Sequence, residues 1–176
     1  AWLDHDRALA VAPSMHSRTL HYFNRGLCAM RLGMLEEAHE DMETAAEHGT
    51  TGSVQSGAER QLRMIDGPLT EAYERQFVFL RQTYPSLMRS RHCASVSAFR
   101  DLCKQVRERL GRERPAAAKR YDICTVVHKE ALGTIAREEE FDSAAMVEGA
   151  HAAFITAKKE LTRQLLARLA REEASG

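Results

Sequence analysis

The side chains best suited to catalysis or metal binding are histidine and cysteine. This chain of 176 residues has eight histidines and four cysteines. The cysteines show no C-x-x-C spacing, and the histidines form no H-E-x-x-H motif. His92 and Cys93 are adjacent but have no further ligands near them in sequence, and His128 falls on an apolar stripe typical of a hydrogen-bonded core residue. Phosphate-loop, nucleophile-elbow and dinucleotide motifs are also absent. We therefore predict no enzyme activity, no catalytic residues, no metal site and no cofactor.

Charge is distributed unevenly, although the formal net charge is zero. Residues 1–74 carry a net charge of −6, residues 75–120 a net charge of +9, and residues 121–176 a net charge of −3. Arginine can pair bidentately with carboxylates or phosphates, so a basic segment can dock an acidic protein surface or a nucleic acid. The predicted partner-binding residues of this basic face are Arg100, Lys104, Arg107, Arg112, Arg114, Lys119 and Arg120.

Apolar residues recur at three- and four-residue spacing along most of the chain, which predicts helices. The side chains named above are therefore expected to lie on helices. The only four prolines lie where helices are expected to begin or end, and glycines mark the expected turns at 33, 49–52, 67, 111 and 133. The sequence predicts an all-α fold with helices at about 1–12, 17–32, 35–48, 54–66, 69–84, 95–110, 115–132 and 141–172.

A repeat with a period of 34 residues runs through the first half of the chain. Shifting the sequence by this period places Gly33 on Gly67 and Ala38 on Ala72. In the best-preserved unit, the first helix has an aromatic residue at Tyr22 and a small residue at Gly26. Gly33 marks the turn, and the second helix has small residues at Ala38 and Ala45. This pattern resembles a tetratricopeptide (TPR) repeat, most strongly over 17–48, although Arg25, Ala29 and Thr50 depart from it.

The resemblance implies antiparallel helical hairpins stacked as a short TPR-like solenoid, followed by a long C-terminal helix. Repeats are expected over 1–85, the first of them incomplete, and a divergent hairpin with the long helix over 86–176, packed as one continuous domain. An incomplete first repeat would leave the apolar side of its remaining helix uncovered, including Trp2 and Leu3. This favours a subunit or segment of something larger over a free-standing monomer.

The function predicted from these features is a non-catalytic protein–protein interaction scaffold, an accessory or adaptor subunit with other protein subunits as partners. An acidic partner surface would dock on 89–120; mitochondrial assemblies such as ATP synthase, a respiratory complex or the ribosome are candidates by analogy of class. One alternative is a helical-repeat RNA-binding protein that uses the same basic region. Another is a co-chaperone that clamps acidic chaperone tails through Asn24. No membrane insertion is expected, and reduced cysteines indicate an intracellular compartment, with the mitochondrial matrix preferred over the cytoplasm.

Overall fold

The computed structural model describes residues 1–115, 123–141 and 144–176, and within these ranges the chain is helical with no strand. The all-α prediction is therefore confirmed, while a TPR-like solenoid stays a prediction. The α-helices are α1 (Trp2–Val11), α2 (Met15–Arg31), α3 (Leu35–His48), α4 (Gly52–Thr83), α5 (Val96–Glu113), α6 (Ile123–Glu138) and α7 (Ala144–Ser175). Two short 3-10 helices, Pro85–Arg89 and Arg91–Cys93, lie between α4 and α5.

Local sequence signals explain several of the helix ends. Ser14 caps α2 by accepting a hydrogen bond from the Ser17 amide at 3.2 Å, and Ser95 caps α5 by accepting one from the Ala98 amide at 3.0 Å. Gly33 has a φ of +77° in the turn between α2 and α3, a conformation that glycine adopts without steric cost. These signals confirm the predicted turn at Gly33.

The predicted break at Gly67 and Pro68 is wrong, because α4 continues through both residues. Proline here removes one hydrogen bond of the helical ladder, but the preceding glycine has no Cβ to clash with the proline ring. Ile65 and Leu69 are fully buried on either side of Pro68, so packing holds the helix together across the proline.

Two further predicted ends are also wrong. Helix α5 runs past Gly111 to Glu113, and α6 runs past Gly133 to Glu138, so these glycines lie inside helices and do not form turns. The start of the helix predicted over 115–132 falls at 116–122, outside the described residues.

Two compact units arise from the contacts within the chain. Unit 1 contains Ala1–Thr70 together with Lys158–Gly176, and unit 2 contains Glu71–Ala157. The predicted division at residue 85 into TPR-like repeats and a divergent hairpin with the long helix, packed as one continuous domain, stays a prediction.

The core of unit 1 contains the apolar faces of α3 and the first part of α4. Its fully buried side chains include Leu35, Met42 and Ile65. The last part of α7 belongs to this unit, where Lys158 Nζ donates to Glu36 Oε2 of α3 at 2.9 Å. Both side chains are largely shielded from solvent, so this ion pair joins residues 122 positions apart in the sequence.

The core of unit 2 is built around aromatic rings. Tyr73 stacks on Phe154 with ring centroids 4.6 Å apart, and Phe99 lies edge-on to Phe77 at 5.9 Å. His128 stacks on Phe154 at 4.3 Å. Rings from α4, α5, α6 and α7 therefore meet in one cluster, which fixes these four segments against each other within the unit.

Candidate functional site

The residues predicted to allow close helix packing lie at the contact between α2 and α3. Gly26 is buried, and a Cβ added there would lie 2.9 Å from Met42 Cε, 3.2 Å from Asp41 Cβ and 3.4 Å from the Ala38 carbonyl oxygen. Ala38 and Ala45 are fully buried on α3. The two helices therefore approach through a site that only glycine fits without movement of its neighbours.

The other two packing residues have different surroundings. Tyr22 is half-buried on α2, with the guanidinium carbon of Arg25 lying 5.5 Å from its ring centroid. Ala72 is fully buried, but it lies within the continuous helix α4 in unit 2. Membership of the TPR family stays a prediction.

Arg25 joins three helices of unit 1. Its Nε and Nη2 atoms donate to the two carboxylate oxygens of Asp41 at 2.8 and 2.7 Å, a bidentate pair between α2 and α3. Its Nη1 atom donates to Asp6 of α1, and its guanidinium carbon lies 5.4 Å from the ring centroid of Trp2. A planar guanidinium can satisfy two carboxylates and contact an aromatic face at once, so Arg25 connects α1 to the α2–α3 hairpin.

Burial and ion pairing have opposite effects on the pKa values of Asp41 and Arg25. Burial raises the pKa of Asp41 above its ordinary value, although the hydrogen bonds and charge of Arg25 oppose that rise. Burial lowers the pKa of Arg25, but the carboxylates of Asp41 and Asp6 outweigh this and leave the pKa raised. The guanidinium is therefore charged at any physiological pH.

Exposed apolar side chains are concentrated at the start of the chain. The large apolar residues that are exposed in the described part of the chain are Leu3, Val11, Met15, Leu20, Leu32 and Val78, and all but the last belong to α1, α2 or the positions beside them. No residue of α1 is buried, and Val11 is 81 % exposed. We call Leu3, Val11, Met15, Leu20 and Leu32 the N-terminal apolar surface.

The predicted basic face is only partly available to a partner. Lys104, Arg112 and Arg114 are exposed, whereas Arg100 and Arg107 are half-buried. The Nη2 atom of Arg107 donates to Cys124 Sγ at 2.7 Å. Lys119 and Arg120 lie outside the described residues. The exposed side of α5 also carries acidic residues, Asp101 and Glu108, so the basic charge does not form an uninterrupted stripe.

Most of the histidines and cysteines singled out in the sequence are buried or contact neighbouring side chains in the structure. His128 is buried as predicted, and its Nδ1 atom lies 2.7 Å from Nδ1 of the buried His151, a hydrogen-bonding distance. Burial and the charge of Glu139 raise the pKa of the Cys93 thiol to about 11, which keeps it protonated and unreactive at neutral pH. His92 Nε2 lies 3.1 Å from Glu138 Oε2. Asn24, the clamp residue of the co-chaperone alternative, is half-buried on α2.

An open cleft of about 480 Å³ lies in unit 2 beside the end of α6. Its lining is mainly apolar with one arginine and one glutamate: Gly133, Ala136, Arg137, Glu140, Phe141, Ala144 and Val147. This lining contains no nucleophile paired with a base, and the described residues contain no group of three or more His, Cys, Asp or Glu side chains arranged to hold a metal ion.

Comparisons with family models, with curated proteins and with solved structures give no match for this chain. Among the helices that the structure describes, none combines the length and apolar character needed to cross a bilayer. The sequence and the geometry above are therefore the basis for a functional assignment.

Proposed function

We propose that the protein is a non-catalytic protein–protein interaction scaffold, an accessory or adaptor subunit of a larger assembly. The N-terminal apolar surface is the observation that supports this proposal most directly. Five large apolar side chains are exposed within the first 32 residues, and a protein partner that covers them would remove their apolar area from water.

Ion pairs connect the helices that carry this surface. The ion pairs of Arg25 with Asp6 and Asp41 connect α1 to α2 and α3, although α1 buries none of its own side chains. These ion pairs restrict the motion of α1 relative to α2, which reduces the conformational freedom that the surface loses when it binds a partner.

Basic residues in α5 and at its C-terminal end supply a second contact in this proposal. Lys104, Arg112 and Arg114 are exposed and can pair with an acidic partner surface. Asp101 and Glu108 lie on the exposed side of the same helix, and such mixed charge suits a protein partner better than a phosphate backbone. RNA binding through 89–120, chaperone-tail binding through Asn24 and a mitochondrial location remain predictions from sequence.

Site-specific photo-cross-linking in cells tests this proposal. A photoreactive amino acid replaces Val11, Leu20 or Lys104, and a matched control replaces Glu59, an exposed residue of α4 in unit 1. We expect Val11 and Leu20 to cross-link the same protein, identified by mass spectrometry, which also co-elutes with the native chain on size exclusion. We expect Glu59 not to cross-link this protein.

A double substitution in the N-terminal apolar surface provides the specificity control. Leu3→Glu combined with Val11→Glu should abolish co-elution without changing the helical content, since both side chains are exposed. A cross-linking pattern identical at Val11, Leu20 and Glu59, or co-elution unchanged by the double substitution, would refute the assignment of this surface.

A further inference from the structure

Packing of α1 on α2 brings together two histidines that the sequence keeps 16 residues apart. The Nδ1 atoms of His5 and His21 lie 3.4 Å apart, with ring centroids separated by 5.7 Å and ring planes inclined by 46°. Both residues are half-buried, so their rings are supported by the helices and still reachable from solvent. The separation is at the long end for an N–H···N hydrogen bond, whereas typical protein hydrogen bonds are about 2.9–3.0 Å long.

This separation is the one that a tetrahedral zinc ion imposes on two of its ligands. With Zn–N distances of about 2.0–2.1 Å and tetrahedral angles, two ligating nitrogens lie about 3.3–3.4 Å apart. The second histidine pair of the protein provides a contrast, because the Nδ1 atoms of His128 and His151 are 2.7 Å apart and both rings are buried. That spacing suits a shared proton and is too short for a common metal ion.

The charges around His5 and His21 are compatible with a bound cation. Arg25 lies one helical turn after His21, but its charge is paired with the carboxylates of Asp41 and Asp6. Asp6 follows His5 directly in sequence and is about half exposed. Together these three side chains carry one positive and two negative charges, so an approaching cation does not meet a net repulsive field from them.

We propose that His5 and His21 form a binding site for a divalent transition-metal cation such as Zn²⁺ that connects α1 to α2. Neutral imidazole nitrogens are common zinc ligands, and water molecules would complete the coordination. Because α1 has no buried residue, a cation held by both helices would fix this helix more firmly than its surface contacts do. The metal site does not depend on the proposed scaffold function. No sequence motif predicted the site, because its two ligands come from different helices.

Calorimetric titration of the full chain with ZnCl₂ near pH 7.5 tests the site. We expect the tightest binding to involve one ion per chain and to weaken at least about tenfold in His5→Gln and in His21→Gln, since each removes one of two protein ligands. His48→Gln, which changes an exposed histidine at the end of α3, should bind as the parent does. Unchanged affinity in either His5→Gln or His21→Gln would overturn the proposal.

A second measurement uses the unsubstituted chain, so it does not depend on how a variant folds. Electron paramagnetic resonance with one equivalent of Cu²⁺ counts the imidazole nitrogens bound to the metal. Two equivalent nitrogens are expected, and His5→Gln or His21→Gln should reduce the count to one. A spectrum with no nitrogen or with a single nitrogen in the unsubstituted chain would contradict the site. Protection of α1 from proteolysis by Zn²⁺, absent in both variants, is the expected structural consequence.

Discussion

Replacing Gly26 by alanine gives the most direct test of the close approach between α2 and α3. The new Cβ would lie 2.9 Å from Met42 Cε and 3.2 Å from Asp41 Cβ. Met42 is fully buried and cannot turn its end into solvent, and Asp41 is held by its bidentate pair with Arg25. The added methyl group therefore requires the end of the Met42 side chain and Asp41 to shift within the contact between α2 and α3.

The expected magnitude follows from two opposing effects. Overpacking in a well-packed core costs about 1–3 kcal/mol, whereas alanine is favoured over glycine inside a helix by about 1 kcal/mol. The net loss for Gly26→Ala is therefore about 1 kcal/mol, and Gly26→Leu should lose about 3 kcal/mol or more. For a protein of this size, about 1 kcal/mol corresponds to a fall in Tm of roughly 2–4 °C.

Gly111→Ala is the matched control, because Gly111 also lies within a helix but has no atom within 4 Å of the position its Cβ would take. Without a steric penalty, this substitution should stabilise the protein by about 0.5–1 kcal/mol. Urea unfolding followed by circular dichroism at 222 nm measures both variants. If Gly26→Ala were as stable as Gly111→Ala, the proposed steric restriction at α2 and α3 would be refuted.

Three other substitutions or labels test separate features. Pro68→Ala should raise the free energy of unfolding by about 1–2 kcal/mol, because it restores a hydrogen bond inside α4, and a loss of stability in urea would contradict a continuous helix. Asp41→Asn should cost about 3 kcal/mol by leaving Arg25 half paired. Because the pKa of Asp41 is raised in the folded chain, protonation of this group stabilises the parent as the pH falls. The difference in free energy of unfolding between the parent and Asp41→Asn should therefore increase from pH 7 to pH 4. A smaller difference at pH 4 would contradict the direction of the shift. Iodoacetamide at pH 8 should label Cys93 far more slowly in the folded chain than in urea, because a pKa of about 11 leaves roughly a hundredfold less thiolate than in an ordinary thiol. Equal labelling rates, measured by peptide mass spectrometry, would contradict this.

The sequence was sufficient to predict the helical fold class and the turn at Gly33. Helical periodicity persists along most of the chain, and a glycine between two such segments is a strong local signal. The prediction of a helix break at Gly67 and Pro68 was wrong because it used only the local preference of glycine and proline. The packing that keeps the helix continuous cannot be read from the sequence. The fully buried Ile65 and Leu69 on either side of Pro68 show which of the two effects is stronger in the folded chain.

The interaction surfaces were less predictable because they depend on which residues meet. Arg25 departs from the TPR pattern, and an acidic residue among the apolar positions of α3, Asp41, was the signal that could have identified its partner. The basic residues of α5 were identified by type, but half-burial of Arg107 against Cys124 follows from packing between helices. Likewise, no spacing rule would pair His5 with His21, although His128 was correctly predicted to be a core residue.

The order in which the chain is synthesised has a consequence for unit 1, which combines the first 70 residues with residues 158–176. Lys158 is added 122 residues after its partner Glu36, which at about 5–20 residues per second is a delay of roughly 6–25 s. Throughout that interval the nascent helices α1 to α3 lack the segment that completes their unit. The ribosome therefore sets the earliest time at which unit 1 can finish folding, and cotranslational chaperones have a defined period in which to bind it.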